Sequence, residues 1–156
     1  MLILLVLAAL VADASAAATP QTPATLLDGL AGSCWQTDMS GGLTDTHCFT
    51  LSAGGKLGLD VHKVQSGDGK VVYEGVTDYR PDGKTAQVDF GYANSDGDLM
   101  LGTASRAGDT LSFALTMPDG TPASLTWQIT ADGYDVTTPQ GTRHFRRVGP
   151  SPEGGL

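Results

Sequence analysis

Three histidines and two cysteines are the side chains of this sequence best suited to chemistry. An imidazole changes charge near neutrality and can hold a proton, a ligand or a metal, so His47, His62 and His144 each call for a reading. His62 follows Asp60 by two residues and has no third metal ligand in view, which predicts a solvated pair on the outer surface. Asn94-Ser95-Asp96-Gly97-Asp98 has the first polar positions of a calcium loop. It lacks the sixth-position Gly and the terminal Glu that complete such a cage, and reads as a tight turn. No GxSxG, HExxH, phosphate-binding loop or GxGxxG is present. No nucleophile, base and orienting group fall together. The chain is therefore read as non-enzymatic, with no catalytic residue, metal site or cofactor expected.

The two cysteines are read as a structural staple. Ser40-Gly41-Gly42 forms a hairpin loop centred on Gly41, and Cys34 and Cys48 each stand seven residues from that centre, directly opposite one another. Closing a loop of that size stabilises by about 3 kcal/mol in the chain-entropy model.

The same register assigns faces. Trp35 falls opposite His47, and alternation along a strand places Phe49 and Leu51 beside them. A second turn centred on Gly54 brings Leu57, Leu59 and Val61 onto that inward face. Cys34, Cys48, Asp60 and His62 then point outward. An inward His47 either binds a ligand or bonds to an interior polar group, and burial predicts a disfavoured charged form.

Glycine-centred turn signals recur along the whole chain, at Gly41, Gly54, Gly67, Gly83, Gly97, Gly108, Gly120, Gly133 and Gly141. Between them Val88, Phe90 and Tyr92, then Leu111, Phe113 and Leu115, then Leu125, Trp127 and Ile129 alternate with polar residues. Each stretch is a strand with one buried face. Leu99 and Leu101 open a weaker one. Val71–Tyr79 and Thr142–Val148 leave their faces open: in the latter, either His144 and Arg146 or Arg143, Phe145 and Arg147 point inward. Short strands joined by tight turns predict an all-β fold, an up-and-down antiparallel barrel of eight to ten strands. Thr25–Gly32 predicts one short helical turn that plugs an end, with Thr25 as its N-cap. Closure would pair the last strand with the first and lay Arg146 or Arg147 over the Trp35 indole, a contact worth roughly 1–2 kcal/mol when desolvated.

The apolar run from Leu2 to Ala12, followed by Ala14-Ser15-Ala16, has the form of a secretory signal peptide and is too short for a bilayer span. It predicts a leader over residues 1–18, a tether over 19–25, one folded domain over 26–148 and a disordered tail over 149–156, in a periplasmic or secreted protein. A formal charge of −8 repels phosphate backbones and anionic headgroups. Nucleic acid and stable membrane insertion are excluded as partners, and a monomer is expected.

Four short motifs carry a family resemblance: Gly32-Ser33-Cys34-Trp35, Asp45-Thr46-His47-Cys48-Phe49, Tyr92-Ala93-Asn94-Ser95-Asp96-Gly97, and His144-Phe145-Arg146-Arg147-Val148. Together the chain resembles the bacterial lipocalin-like (calycin-type) barrels, a family of uncharacterised function, over roughly Leu26 to Val148. The early Gly-x-x-Trp has one residue more than the Gly-x-Trp of lipocalins proper. Nitrobindin-like relatives imply haem on a late histidine, nearest to His144, but their glycine-rich motif is not reproduced after Trp35. The resemblance to small periplasmic metalloprotease inhibitors implies an N-terminal arm, here Ala17 to Thr25, that enters a protease cleft.

The expectation from the whole is an exported binding protein for a small apolar or amphipathic ligand. Trp35, His47, Phe49, Phe90, Tyr92, Phe113, Trp127 and His144 are the candidate ligand-binding residues. The alternative is a protein-binding module such as an inhibitor of a secreted hydrolase.

Overall fold

The computed structural model describes residues 19–152. The expected leader at 1–18 and the end of the tail at 153–156 lie outside the described residues. Ten strands follow one another: β1 (Ser33–Met39), β2 (Leu43–Leu51), β3 (Gly58–Ser66), β4 (Val71–Pro81), β5 (Val88–Asn94), β6 (Leu99–Ala107), β7 (Thr110–Thr116), β8 (Pro122–Ile129), β9 (Gly133–Thr138) and β10 (Gly141–Pro150). Each pairs antiparallel with its sequence neighbours, and β10 returns to β1, so the sheet closes into a barrel. Closure leaves no row of unpaired backbone groups. The chain is an up-and-down barrel at the upper end of the expected strand count.

One end is plugged. A helical turn, α1 (Pro23–Leu26), starts at Thr22, whose hydroxyl accepts from the Thr25 amide while the Thr25 hydroxyl accepts from that of Thr22. Thr22 is thus the cap and Thr25 its reciprocal partner, because Pro23 supplies a first helical residue that needs no donor. Leu26, Leu27 and Leu30, on and just after this turn, are fully buried in the core. Gln21 ties the segment down through its side-chain amide, bonding to the Arg106 carbonyl and amide at 2.6 and 2.8 Å. At the other terminus β10 runs on through Gly149 and Pro150, paired with Cys34 and Ser33. Order therefore extends past the Val148 boundary drawn from composition.

The first hairpin has the expected register. Cys34 faces Cys48, the two are disulfide-bonded, and Trp35 faces His47. The second does not. Ser52 and Leu57 close the loop through a 2.8 Å backbone bond, and Gly54 and Gly55 both take positive φ, 87° and 67°. The loop centre is displaced by half a residue, so Phe49 faces Asp60 and His47 faces His62. A one-residue shift in pairing turns every side chain of a strand over. Gly58, Asp60, His62 and Val64 point inward, and Leu59 and Val61 point outward, the reverse of the expectation. Gly58 shows one reason: a Cβ there would lie 2.9 Å from Leu27 and 3.3 Å from Pro23 of the plug.

Elsewhere the alternation holds, with Val88, Phe90, Leu111, Phe113 and Trp127 buried. β6 reverses its hydrophobic cue: Leu99 and Leu101 are exposed, while Met100 and Ala104 are buried. β4 turns Tyr79 inward, 1% exposed, with Tyr73 on the same face. In β10 Phe145 is the inward residue, and His144 turns out to bond Asp135 at 2.7 Å. Arg147 is the cross-strand partner of Trp35, as closure predicts, but neither late Arg is buried against the indole. Arg146 is drawn outward to Asp38 at 3.2 Å, Arg147 is exposed, and the indole N–H donates to the Leu30 carbonyl of the plug.

Candidate functional site

The inverted face of β3 gathers the titratable groups of the barrel interior. Asp45 and His47 come from β2, Asp60 and His62 from β3, Tyr73 from β4 and Tyr92 from β5. Because His47 and His62 are a directly opposed cross-strand pair, their rings stack with centroids 4.2 Å apart and planes 12° from parallel. His47 Nδ1 lies 2.6 Å from an Asp60 oxygen, and its Nε2 lies 3.5 Å from Asp45 Oδ1. His62 Nε2 lies 2.7 Å from that same Asp45 oxygen. On its other side His62 Nδ1 is 3.3 Å from the Tyr92 hydroxyl, which is 2.7 Å from that of Tyr73. Gly75 makes this reach possible, since the Tyr92 ring fills the space a Cβ would take.

Both carboxylates are withdrawn from water, with side chains 7% exposed at Asp45 and 2% at Asp60. Burial by itself lowers the pKa of His47, as expected from the sequence. Here Asp60, by charge and hydrogen bond, and Asp45, by charge, outweigh that effect and raise it above 6.5. The sign was unreadable from the sequence because the expected register placed Asp60 outside. Burial and the neighbouring Tyr73 hydroxyl raise the Tyr92 phenol far above its ordinary range, so it stays a neutral hydrogen-bonding group.

Several buried polar atoms lack a hydrogen-bond partner: Asp45 Oδ1, Asp60 Oδ1 and His62 Nε2 are all at the cluster. His62 Nε2 and Asp45 Oδ1 are within bonding distance of each other, yet their directions do not meet in hydrogen-bond geometry. Native interiors rarely leave such atoms unsatisfied. Asp45, His47 and His62 each present a ligand atom, all within 4.8 Å of one another. These three are the residues of the described chain that could hold a metal.

Space adjoins the cluster. A cavity of about 190 Å³ has Asp60, His47 and His62 on one wall and Phe90, Phe113 and Trp127 on the other. A second, of about 180 Å³, runs from His47 and Asp45 past Trp127 and Phe145 to Arg143. His47, Leu125 and Trp127 line both. His47 therefore stands between the two spaces, its ring edge-on to Phe145 at 5.2 Å.

Of the candidate residues read from the sequence, Trp35, Phe49, Phe90, Phe113 and Trp127 are buried inside the barrel, and His47 and Tyr92 stand at the cavity. Trp35 and Phe49 line neither cavity: they belong to the packed core beside Tyr134. His144 is not part of the constellation. It sits on the outer face at 37% exposure between Asp135 and Asp132. Sequence reasoning missed Asp45, Asp60, His62 and Tyr73. The available signal was the spacing Asp45-x-His47 against Asp60-x-His62, two acid–histidine pairs on adjacent strands, which converge only in one register. No family model and no curated protein matches the chain.

Proposed function

We propose that the protein is an exported, non-enzymatic, lipocalin-like container that binds one small amphipathic molecule at the open end of its barrel. The observation that carries the reading is the pair of adjoining cavities, each with aromatic walls and a polar wall made by His47, Asp60 and His62 or by Asp45 and Arg143. Ligand pockets combine mostly apolar lining with a few placed polar groups. Their size limits the guest. Drug-sized pockets run from about 300 Å³ upward, whereas an apolar hole of about 150 Å³ takes one benzene. The natural guest is then a single ring or a short acyl chain, with its polar end toward the histidines. The disulfide, a bond that persists in oxidising compartments, supports a secreted or periplasmic location together with the signal-like run before residue 19. The closing of β10 onto β1 and the helical plug support membership of the calycin-type barrels. No helix among the described residues is long and apolar enough to cross a membrane.

Trp127 lines both cavities and supplies the assay. Titration with a panel of single-ring and short-chain carboxylates, phenols and amines should quench its fluorescence for at least one class. Leu125→Trp, which fills both spaces, should abolish that response. Flat titrations across the panel, with a clean apo mass for protein taken from its own host, would sink the reading.

A further inference from the structure

The geometry points to a divalent transition-metal site, zinc by preference, formed by Asp45, His47 and His62, with Asp60 as the residue that orients His47. Two imidazole nitrogens, one carboxylate and a position left open to a cavity are the donor set of zinc sites that keep a free coordination place. Zinc bonds of about 2.0–2.2 Å place neighbouring ligand atoms about 3.3–3.6 Å apart. His47 Nε2 and Asp45 Oδ1 are 3.5 Å apart, and His62 Nε2 and Asp45 Oδ1 need to separate only modestly from 2.7 Å.

Three further observations favour a cation over a closed hydrogen-bond network. His62 Nε2 and Asp45 Oδ1 are buried and unpartnered although close together. Two buried acceptor-capable atoms this close, and not aligned for a hydrogen bond, suit a shared cation placed off their line. The other nitrogen of each ring is already engaged, His47 Nδ1 by Asp60 and His62 Nδ1 by Tyr92. A carboxylate on Nδ1 fixes the tautomer that leaves Nε2 free to ligate, the usual outer partner of metal-bound histidine. Finally, β3 turns Asp60 and His62 inward and Leu59 and Val61 outward. Breaks in local patterning are expected at functional or strained sites.

The site is independent of the organic ligand. A barrel that binds zinc and no apolar probe retains this inference and loses the other, and the converse separates them equally well.

The test uses untagged, disulfide-intact protein stripped with chelator and dialysed against Zn²⁺ or Co²⁺. One metal per chain should be retained, and the Co²⁺ form should show the intense visible absorption of a four- or five-coordinate ion. Asp60→Asn should weaken zinc binding by about 10–100-fold, the usual loss for an outer partner. His62→Gln should remove binding at zinc concentrations that saturate the native protein, and His144→Ala should leave it unchanged. In case a variant misfolds, imidazole ¹⁵N resonances of the native protein give the same answer: zinc should shift His47 and His62 and not His144. Failure to retain metal, retention by a folded His47→Ala/His62→Ala variant, or shifts confined to His144 would each overturn the site.

Discussion

The two ends of the barrel solve opposite problems. At the plugged end Leu26, Leu27, Leu30, Val88, Leu111 and Tyr134 bury fully, and the indole N–H of Trp35 is satisfied by the Leu30 carbonyl at 3.1 Å. Volume is filled there. At the other end Asp45, Asp60 and His62 bring three buried polar atoms without partners into one cluster, whereas Thr50 and Tyr134 leave single hydroxyls unpartnered elsewhere, and space remains beside the cluster. An unsatisfied buried polar group costs about 1–3 kcal/mol, so the cluster is held at a cost in stability that the packed plug and core offset. The difference teaches where a barrel can hold a site: opposite its plug, where core packing is no longer needed to close the fold.

The sharpest way to break this comparison is to damage the plug. Leu27→Ala should cost about 2–5 kcal/mol, since a fully buried leucine loses transfer energy and leaves a hole. Urea unfolding followed by tryptophan fluorescence measures it, and a loss below 1 kcal/mol would mean the plug is dispensable. Next in size is the disulfide, which pins β1 to β2 where those strands approach the plugged end. Cys34→Ala/Cys48→Ala should lower stability by about 3 kcal/mol in the same assay.

At the open end the expected signs depend on occupancy. Zinc at about 100 times its dissociation constant should stabilise the native chain by about 2.7 kcal/mol through mass action, and should do nothing for His62→Phe. In chelator that variant should match the native chain to within about 1 kcal/mol, because removal of the unpartnered Nε2 offsets the loss of the Tyr92 contact. A His62→Phe variant destabilised beyond that without metal would show that the cluster is an ordinary structural network.

The smallest effect belongs to neither end. Asp68, Asp82 and Asp119 lie in exposed hairpin turns and are held below the ordinary 3.8 by hydrogen bonds. The largest contribution comes from the Ser66 hydroxyl for Asp68, the Thr85 hydroxyl for Asp82 and the Thr121 backbone for Asp119. A carboxylate with a depressed folded pKa stabilises above its unfolded value, and that stability fades as pH falls through the folded one. Carboxyl ¹³C titrations should place all three below the other surface aspartates. Their replacement by Asn should alter acid unfolding below pH 3.8 only slightly and neutral stability hardly at all.

Much of the barrel was legible because turns and alternation are local. Gly41 and Gly42 adopt positive φ, 76° and 72°, so the centre of the first hairpin, the cysteine pairing and the inward placement of Trp35, His47 and Phe49 follow from counting residues. The strands carrying Phe90, Phe113 and Trp127 declare their inward face by period two alone. The site was not legible, because it hangs on half a residue in the loop Ser52–Leu57. Local pattern favoured Leu57, Leu59 and Val61 as the buried face. The plug, packed where only Gly58 leaves room for Leu27 and Pro23, accommodates the other register. That choice reverses a whole strand, brings Asp60 and His62 beside Asp45 and His47, and turns the expected lowering of the His47 pKa into a rise. The sequence by itself determined that the chain closes as a stapled barrel, through short-range backbone preferences. Which groups face one another inside was decided by contacts between residues far apart in the chain, where strand register is set.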